Sequence, residues 1–139
     1  MVRTIELLAD ELKKLAGWGA HPHRLATKPV LSGLAGVHED LTRTTAGSIV
    51  GRYLVEAIRS MEGAYAFLDR EYDAHTLGRA LRIELGIERG SFSAPARQYL
   101  TTQILGLDCS YDQWRKHHRY QRALFVILAE HCVRNLQLA

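Results

Sequence analysis

Apolar residues recur along this chain at intervals of three and four, which is the spacing of one face of an α-helix. The first segment shows the pattern most clearly, because Ile5, Leu8, Leu12 and Leu15 share a face and Gly17 follows as a terminator. No tract alternates between apolar and polar residues for long enough to predict a strand. The pattern therefore predicts an all-α fold, a compact bundle of about six helices.

The longest predicted helix covers residues 45–70 and would lie at the centre of the bundle. Its apolar positions alternate in steps of four and three, which is typical of a helix that packs along another helix. We predict that four of these residues form a dimer interface: Val50, Leu54, Met61 and Leu68. Gly47, Gly51 and Gly63 are predicted to mark close helix crossings, because each costs a helix about 1 kcal/mol relative to alanine.

Glycine and proline divide the rest of the chain. Residues 17–36 are rich in both and are predicted to form a loop, with one short helix that begins near Pro29. A further helix is predicted over residues 74–85, with its leucines facing inward, and Gly86 and Gly90 would end it.

The last third of the chain carries three more helix signals. Ser93 begins a helix that is predicted to bury Leu100 and Ile104 before Gly106 stops it. Ser110 then begins a short helix, because Gln113 completes the spacing of a capping box. The final helix is predicted over residues 119–138, and its continuous apolar run at residues 123–129 makes it the most buried element.

Length and composition favour a single domain of the intracellular type, which would cover residues 1–139. A chain of 139 residues can bury a core without disulfide bonds, and its two cysteines, Cys109 and Cys132, are expected to be reduced thiols. The N-terminus mixes charge with apolar residues, so we predict a cytoplasmic protein without a membrane span. The net charge of +3 permits contact with nucleic acid but does not require it.

A helix, a glycine-containing turn and a short capped helix follow one another within residues 99–122. This order resembles that of helix-turn-helix DNA-binding proteins, in which the second helix enters the major groove. The resemblance implies that Thr102 is the small residue facing the partner helix, that Gly106 takes the turn and that Trp114 anchors the second helix. The whole segment of this kind would span about residues 94–122.

Charge in the same segment supports this interpretation, because no acidic residue occurs between Asp112 and Glu130. Arginine and lysine supply most phosphate contacts in DNA complexes, and a side chain at the front of the reading helix can reach base edges. A protonated histidine pair would strengthen binding at lower pH. The predicted nucleic-acid-binding residues are Gln113, Arg115, Lys116, His117, His118, Arg119 and Arg122.

Two hypotheses about function therefore stand side by side. The first is a non-enzymatic module that binds duplex DNA, a transcriptional regulator or accessory factor that dimerises through the apolar stripe. The second is a helical adaptor or assembly subunit that docks a protein partner through that stripe and the glycine-rich loop. Under the second hypothesis the basic segment is an ordinary solvated surface.

We predict no catalytic residue, no metal site and no cofactor. His21 and His23 form a single potential ligand pair, whereas zinc sites normally need two. His131 and Cys132 are adjacent on a predicted helix and therefore do not face each other as a nucleophile and its base would. The sequence also lacks the glycine-rich nucleotide-binding motifs.

Overall fold

The computed structural model describes residues 2–87 and 93–138, with side chains described as far as Asn135. This part of the chain is mostly helical, with eight α-helices and a two-stranded sheet. The elements are α1 (Val2–Trp18), α2 (Pro22–Leu25), α3 (Pro29–Leu34), α4 (Arg43–Arg59), β1 (Ala64–Phe67), β2 (Arg70–Asp73), α5 (Ala74–Leu85), α6 (Ala94–Leu105), α7 (Tyr111–Lys116) and α8 (Ala123–Leu138). A kinked segment, His118–Arg122, joins α7 to α8.

Helix α5 has the predicted bounds, and its local chemistry explains why. The Asp73 side chain accepts the backbone N–H of Thr76 at 2.8 Å and so caps the first turn. Gly86 adopts the left-handed conformation, with φ of 71°, and ends the helix. The three leucines of α5 are fully buried, as predicted. Gly90 lies outside the described residues.

The predicted long helix over residues 45–70 is wrong, because α4 ends at Arg59 and an antiparallel hairpin follows. The Ser60 hydroxyl donates to the Ala57 carbonyl at 2.8 Å and closes the last turn. Gly63 then takes a φ of +80°, which a helix does not allow. In the hairpin Tyr65 pairs with Tyr72. The fold is therefore mainly α-helical, as predicted, but its described part has a short sheet and eight helices where about six helices and no strand were expected.

The apolar stripe of the predicted long helix is part of the chain's own core. Val50 and Leu54 are fully buried on α4, and Met61 is buried just beyond its end. Leu68 lies in the hairpin turn and packs partly against the same core. These four side chains were predicted to form a dimer interface, but the fold uses them for intramolecular packing and does not offer them as one surface.

Helix α8 begins later than predicted, at Ala123, because Tyr120 has non-helical backbone angles of φ −103° and ψ −108°. From there the predicted burial holds, since Leu124, Phe125 and Leu128 are fully buried. The helix packs closely against α1 and forms the central layer of the core.

Helix α6 has the predicted start and end but turns a different face inward. Leu100 is 37% exposed, whereas the prediction buried it. The residues that α6 does bury are largely polar: Arg97, Gln98, Thr101, Thr102 and Leu105. Polar groups in a core require hydrogen-bonding partners. The partners of this face define one of the sites described below.

Gly47 lies where α2 crosses α4, and the crossing leaves no space for a side chain. A Cβ atom built at Gly47 would overlap the backbone of Pro22, which cannot move aside as a flexible side chain would. We therefore expect Gly47→Ala to lower the free energy of unfolding by about 2 kcal/mol or more in urea denaturation. The prediction that this glycine marks a close helix crossing is confirmed.

A matched control exists in α3, where a Cβ atom at Gly33 would meet nothing within 4 Å. Gly33→Ala is expected to be neutral or to stabilise the protein by less than about 1 kcal/mol. Equal destabilisation by both substitutions would show that the loss at Gly47 does not come from the crossing.

Candidate functional site

Helix α7 forms as the capping pattern predicts. The Ser110 hydroxyl accepts the N–H of Gln113 at 3.1 Å, and the Gln113 side chain accepts the N–H of Ser110 at 3.0 Å. Trp114 is fully buried and anchors the helix, as expected, and Gly106 takes the left-handed turn before it. The Thr102 hydroxyl, however, is bonded to carbonyl groups of its own helix, those of Gln98 and Tyr99.

The geometry of α7 is not well suited to reading a DNA groove. It has six residues, so it is about 9 Å long, less than two turns. The Gln113 side chain is already used in the cap, and the Arg115 guanidinium lies 5.3 Å from the centre of the Tyr111 ring. Neither side chain is therefore poised at the front of the helix for a base edge.

The predicted basic residues do not form one surface. Most of them are exposed, namely Arg115, Lys116, His117, His118 and Arg119. Arg119 lies beside the hairpin and lines a depression together with Leu68 and Asp69. Arg122 is only 24% exposed and pairs with Asp10 of α1. Of this set, Arg115 lies against α1, because the Lys13 ammonium donates to its backbone carbonyl at 2.7 Å.

A buried carboxyl group lies at the centre of the molecule, and no sequence pattern indicated it. Glu84 of α5 is 2% exposed, and one of its oxygens, Oε2, accepts two hydrogen bonds. The donors are Trp114 Nε1 at 2.6 Å and Gln121 Nε2 at 2.9 Å. Arg97 Nε also approaches the backbone carbonyl of Glu84, at 3.4 Å. This network explains why α6 buries polar residues and why Trp114 is held so firmly.

A protonated carboxyl group would fit the surroundings of the second oxygen of Glu84. Oε1 lies 3.2 Å from the hydroxyl oxygen of Thr101, and that hydroxyl lies 2.8 Å from the carbonyl of Arg97. The single hydrogen of the Thr101 hydroxyl can be donated to Oε1 or to the nearer carbonyl of Arg97, and in the second case a protonated Oε1 can donate a hydrogen bond to the hydroxyl oxygen. Burial also raises the pKa of Glu84, although its hydrogen-bond donors and the charge of Arg97 oppose that rise.

Glu84 borders a cleft of about 410 Å³ between α1, α5 and α7, called here the Glu84 cleft. Its inner wall carries Glu84 and Gln121, whose side chains bond each other. Its rim carries Lys13, Lys14 and Arg115, with Tyr111 beside them. The only carboxylate on the rim among the described residues is Asp10, and it already pairs with Arg122.

A second cleft, also of about 410 Å³, lies between α1, α2 and the start of α4 and is called here the Trp18 cleft. Its lining residues are Lys14, Leu15, Trp18, His23, Arg24, Thr27, Lys28 and Arg43. No acidic residue is among them, within the part of the chain that the structure describes. The neighbouring acid on α1, Glu11, is occupied, because its carboxylate accepts the N–H groups of Val30 and Leu31, each at 2.9 Å.

The two clefts share Lys14 and Trp18 and thus adjoin along one side of α1. Trp18 is 68% exposed, and the Arg24 guanidinium lies 4.6 Å from the centre of its ring. We call this surface the cationic face; its lysines and arginines are Lys13, Lys14, Arg24, Lys28, Arg43 and Arg115. Sequence reasoning missed it, because these residues come from four different helices and from the segment that joins α2 to α3.

The histidines and cysteines are placed as follows. His21 and His23 are exposed, and the described residues hold no cluster of three or more histidine, cysteine or acidic side chains suited to a metal ion. His131 is buried, with Nε2 lying 2.7 Å from the Ser60 hydroxyl, and this pair ties the end of α4 to α8. Cys132 is a core residue, as predicted, and burial raises the pKa of its thiol to about 11.

Comparison with known proteins gave no match to any family model, curated protein or solved structure. The resemblance to helix-turn-helix proteins therefore stays a prediction. None of the helices in the described residues is both long and apolar enough to cross a lipid bilayer.

Proposed function

We propose that this chain is a non-enzymatic nucleic-acid-binding module that holds the phosphate backbone on its cationic face. The observation that carries the proposal is the Trp18 cleft, where Lys14, Arg24 and Arg43 converge and none of the described lining residues is acidic. Such a cleft concentrates positive potential, because its described lining residues include several cations and no carboxylate. Phosphate groups are the ligands that arginine and lysine contact most often in nucleic-acid complexes.

The Glu84 cleft extends the same surface toward α7. Lys13 and Arg115 add positive charge there, and Tyr111 adds an aromatic ring. Of the basic residues predicted from the sequence, Arg115 is the one that lies in the proposed site. Lys116, His117 and His118 follow it in the sequence and are exposed, and they remain predicted accessory contacts. In this proposal the chain serves as a regulatory or accessory factor, as the helix-turn-helix resemblance also implies.

A binding role is favoured over catalysis by the state of Glu84. Its carboxyl group is the buried acid that borders a cleft, and residues of this kind are the usual candidates for acid-base chemistry. Its oxygens, however, are already engaged by Trp114, Gln121 and Thr101. We infer that Glu84 organises the interior wall and does not transfer protons to a ligand.

The competing proposal, a protein-interaction module, now rests on a different surface. Its predicted docking stripe lies in the core, but Tyr99 and Leu100 are adjacent and exposed on α6. Exposed large apolar side chains of this kind can mark a protein contact. The two proposals differ in salt dependence, because an apolar contact does not release counterions from a nucleic acid.

The test is a fluorescence anisotropy titration of the protein against a labelled oligonucleotide at several salt concentrations. Four phosphate contacts, from Lys14, Arg24, Lys28 and Arg43, predict that log K falls with log salt with a slope of about −3 to −4. Absence of binding at low salt, or an affinity that does not change with salt, would overturn the proposal.

A further inference from the structure

The exposure of Trp18 is the feature of the cationic face that phosphate binding alone does not explain. Tryptophan buries a large apolar area when it packs inside a protein, yet this ring is 68% exposed at the end of α1. It borders both clefts, so any ligand that follows the cationic face from one cleft to the other passes over it.

An aromatic ring among cationic side chains is the arrangement by which proteins bind unpaired nucleotides. The ring stacks on the flat face of a base while the surrounding cations contact the backbone. Here Lys14 and Arg24 flank Trp18, and the Arg24 guanidinium already lies over the ring as a second planar group. Bases in a duplex cannot use such a platform, because they are stacked on each other inside the helix.

Helix α7, the element predicted to read a DNA duplex, is poorly suited to that role. Helix α7 has six residues, and its Gln113 side chain is engaged in its own cap. A reading helix must instead present free side chains along the major groove. The cationic face, in contrast, is concave at two places, each with a volume of about 410 Å³.

We propose that the ligand of the cationic face is single-stranded nucleic acid. Its bases stack on Trp18, and its phosphates contact Lys14, Arg24, Lys28 and Arg43. This inference rests on the proposed function and adds to it the class of nucleic acid that is bound.

Tryptophan fluorescence can test this inference, because one of the two tryptophans is exposed and the other is buried. Trp18 is 68% exposed and Trp114 is 0% exposed. An unlabelled oligothymidylate of about 20 nucleotides should therefore quench the fluorescence of Trp18. In Trp18→Phe only the emission of Trp114 remains, and it should not change on titration.

Affinities are measured by anisotropy with the labelled oligothymidylate and with its duplex, at one salt concentration. We expect the single strand to bind at least about tenfold more tightly than the duplex. Trp18→Ala should weaken single-strand binding about tenfold and leave duplex binding unchanged, whereas Trp18→Phe should retain most of the affinity because it keeps a stacking ring. Circular dichroism verifies that both variants are folded.

The outcomes separate this inference from the proposed function. Tighter binding of the duplex would overturn the inference and leave the proposed function standing. The inference would also fail if Trp18→Ala bound the single strand as well as the unsubstituted protein does. If neither nucleic acid binds at low salt, the proposed function fails as well.

Discussion

Replacing Glu84 with alanine is expected to lower the free energy of unfolding by about 4 kcal/mol in urea denaturation. The substitution removes the acceptor of two buried hydrogen bonds, those donated by Trp114 and Gln121. Each donor that is left without its protein acceptor costs desolvation energy. It also leaves a cavity where α5, α6 and α7 meet.

Glu84→Gln is the matched control, because a glutamine reproduces the bonding of a protonated carboxyl group. Its carbonyl oxygen can accept from Trp114 and Gln121, and its amide can donate to the Thr101 hydroxyl. We therefore expect a change of less than about 1 kcal/mol. A loss as large as that of Glu84→Ala would contradict the protonated state.

The pH dependence of the free energy of unfolding in the unsubstituted protein follows from the raised pKa of Glu84. The folded protein holds this proton more tightly than the unfolded chain does. The contribution of Glu84 to the free energy of unfolding is therefore greatest below its unfolded pKa and declines as pH rises toward its folded pKa. Denaturation measured across that interval should show this decline in the unsubstituted protein and not in Glu84→Gln.

The parts of the fold that the sequence predicts well are those with local chemistry. Serine and aspartate caps define the starts of α5, α6 and α7, and glycines define the ends of α5 and α6, because each acts on the backbone beside it. The burial of the leucines of α5 follows from helical spacing, whereas that of Trp114 was implied by the resemblance to helix-turn-helix proteins.

The hairpin was missed because its turn carries no usual signal. Leu68 and Asp69 both adopt positive φ, at 53° and 60°, where asparagine and glycine are expected. Met61 and Leu68 also continue the helical spacing of α4 by coincidence, and both are at least partly buried in the core. Spacing alone cannot distinguish a continued helix from a chain that turns back onto the same core.

The candidate site could not be predicted, because it is assembled from distant parts of the chain. The polar face of α6 becomes stable only when Glu84 of α5 lies opposite Thr101. The cationic face likewise joins Lys14 of α1 to Arg24 and Arg43, which follow in separate helices. The basic residues within 115–122 are close together in the sequence, but in the fold their side chains lie in three separate places: the Glu84 cleft, the depression beside the hairpin and the ion pair with Asp10.

Neutralising the four cations of the Trp18 cleft is expected to weaken nucleic-acid binding about 100-fold or more at a salt concentration of about 50 mM. The variant combines Lys14→Gln, Arg24→Gln, Lys28→Gln and Arg43→Gln. All four side chains line the Trp18 cleft, so each substitution removes one proposed phosphate contact. All four side chains are at least partly exposed, so the free energy of unfolding should change by less than about 1 kcal/mol.

A charge-matched control separates a binding site from the effect of net charge. It replaces four exposed arginines that lie outside the lining of both clefts: Arg3, Arg52, Arg79 and Arg134. Both variants lower the formal net charge of +3 by the same four units. The control should bind within about threefold of the unsubstituted protein, since distant charges are screened.

The most direct measurement is the ratio of the affinities of these two variants for one labelled oligonucleotide at the same salt concentration. We expect the control to bind at least about 30-fold more tightly than the variant of the Trp18 cleft. Equal affinities would mean that the charges of Lys14, Arg24, Lys28 and Arg43 act only through the net charge, and the cationic face would not be a nucleic-acid-binding site.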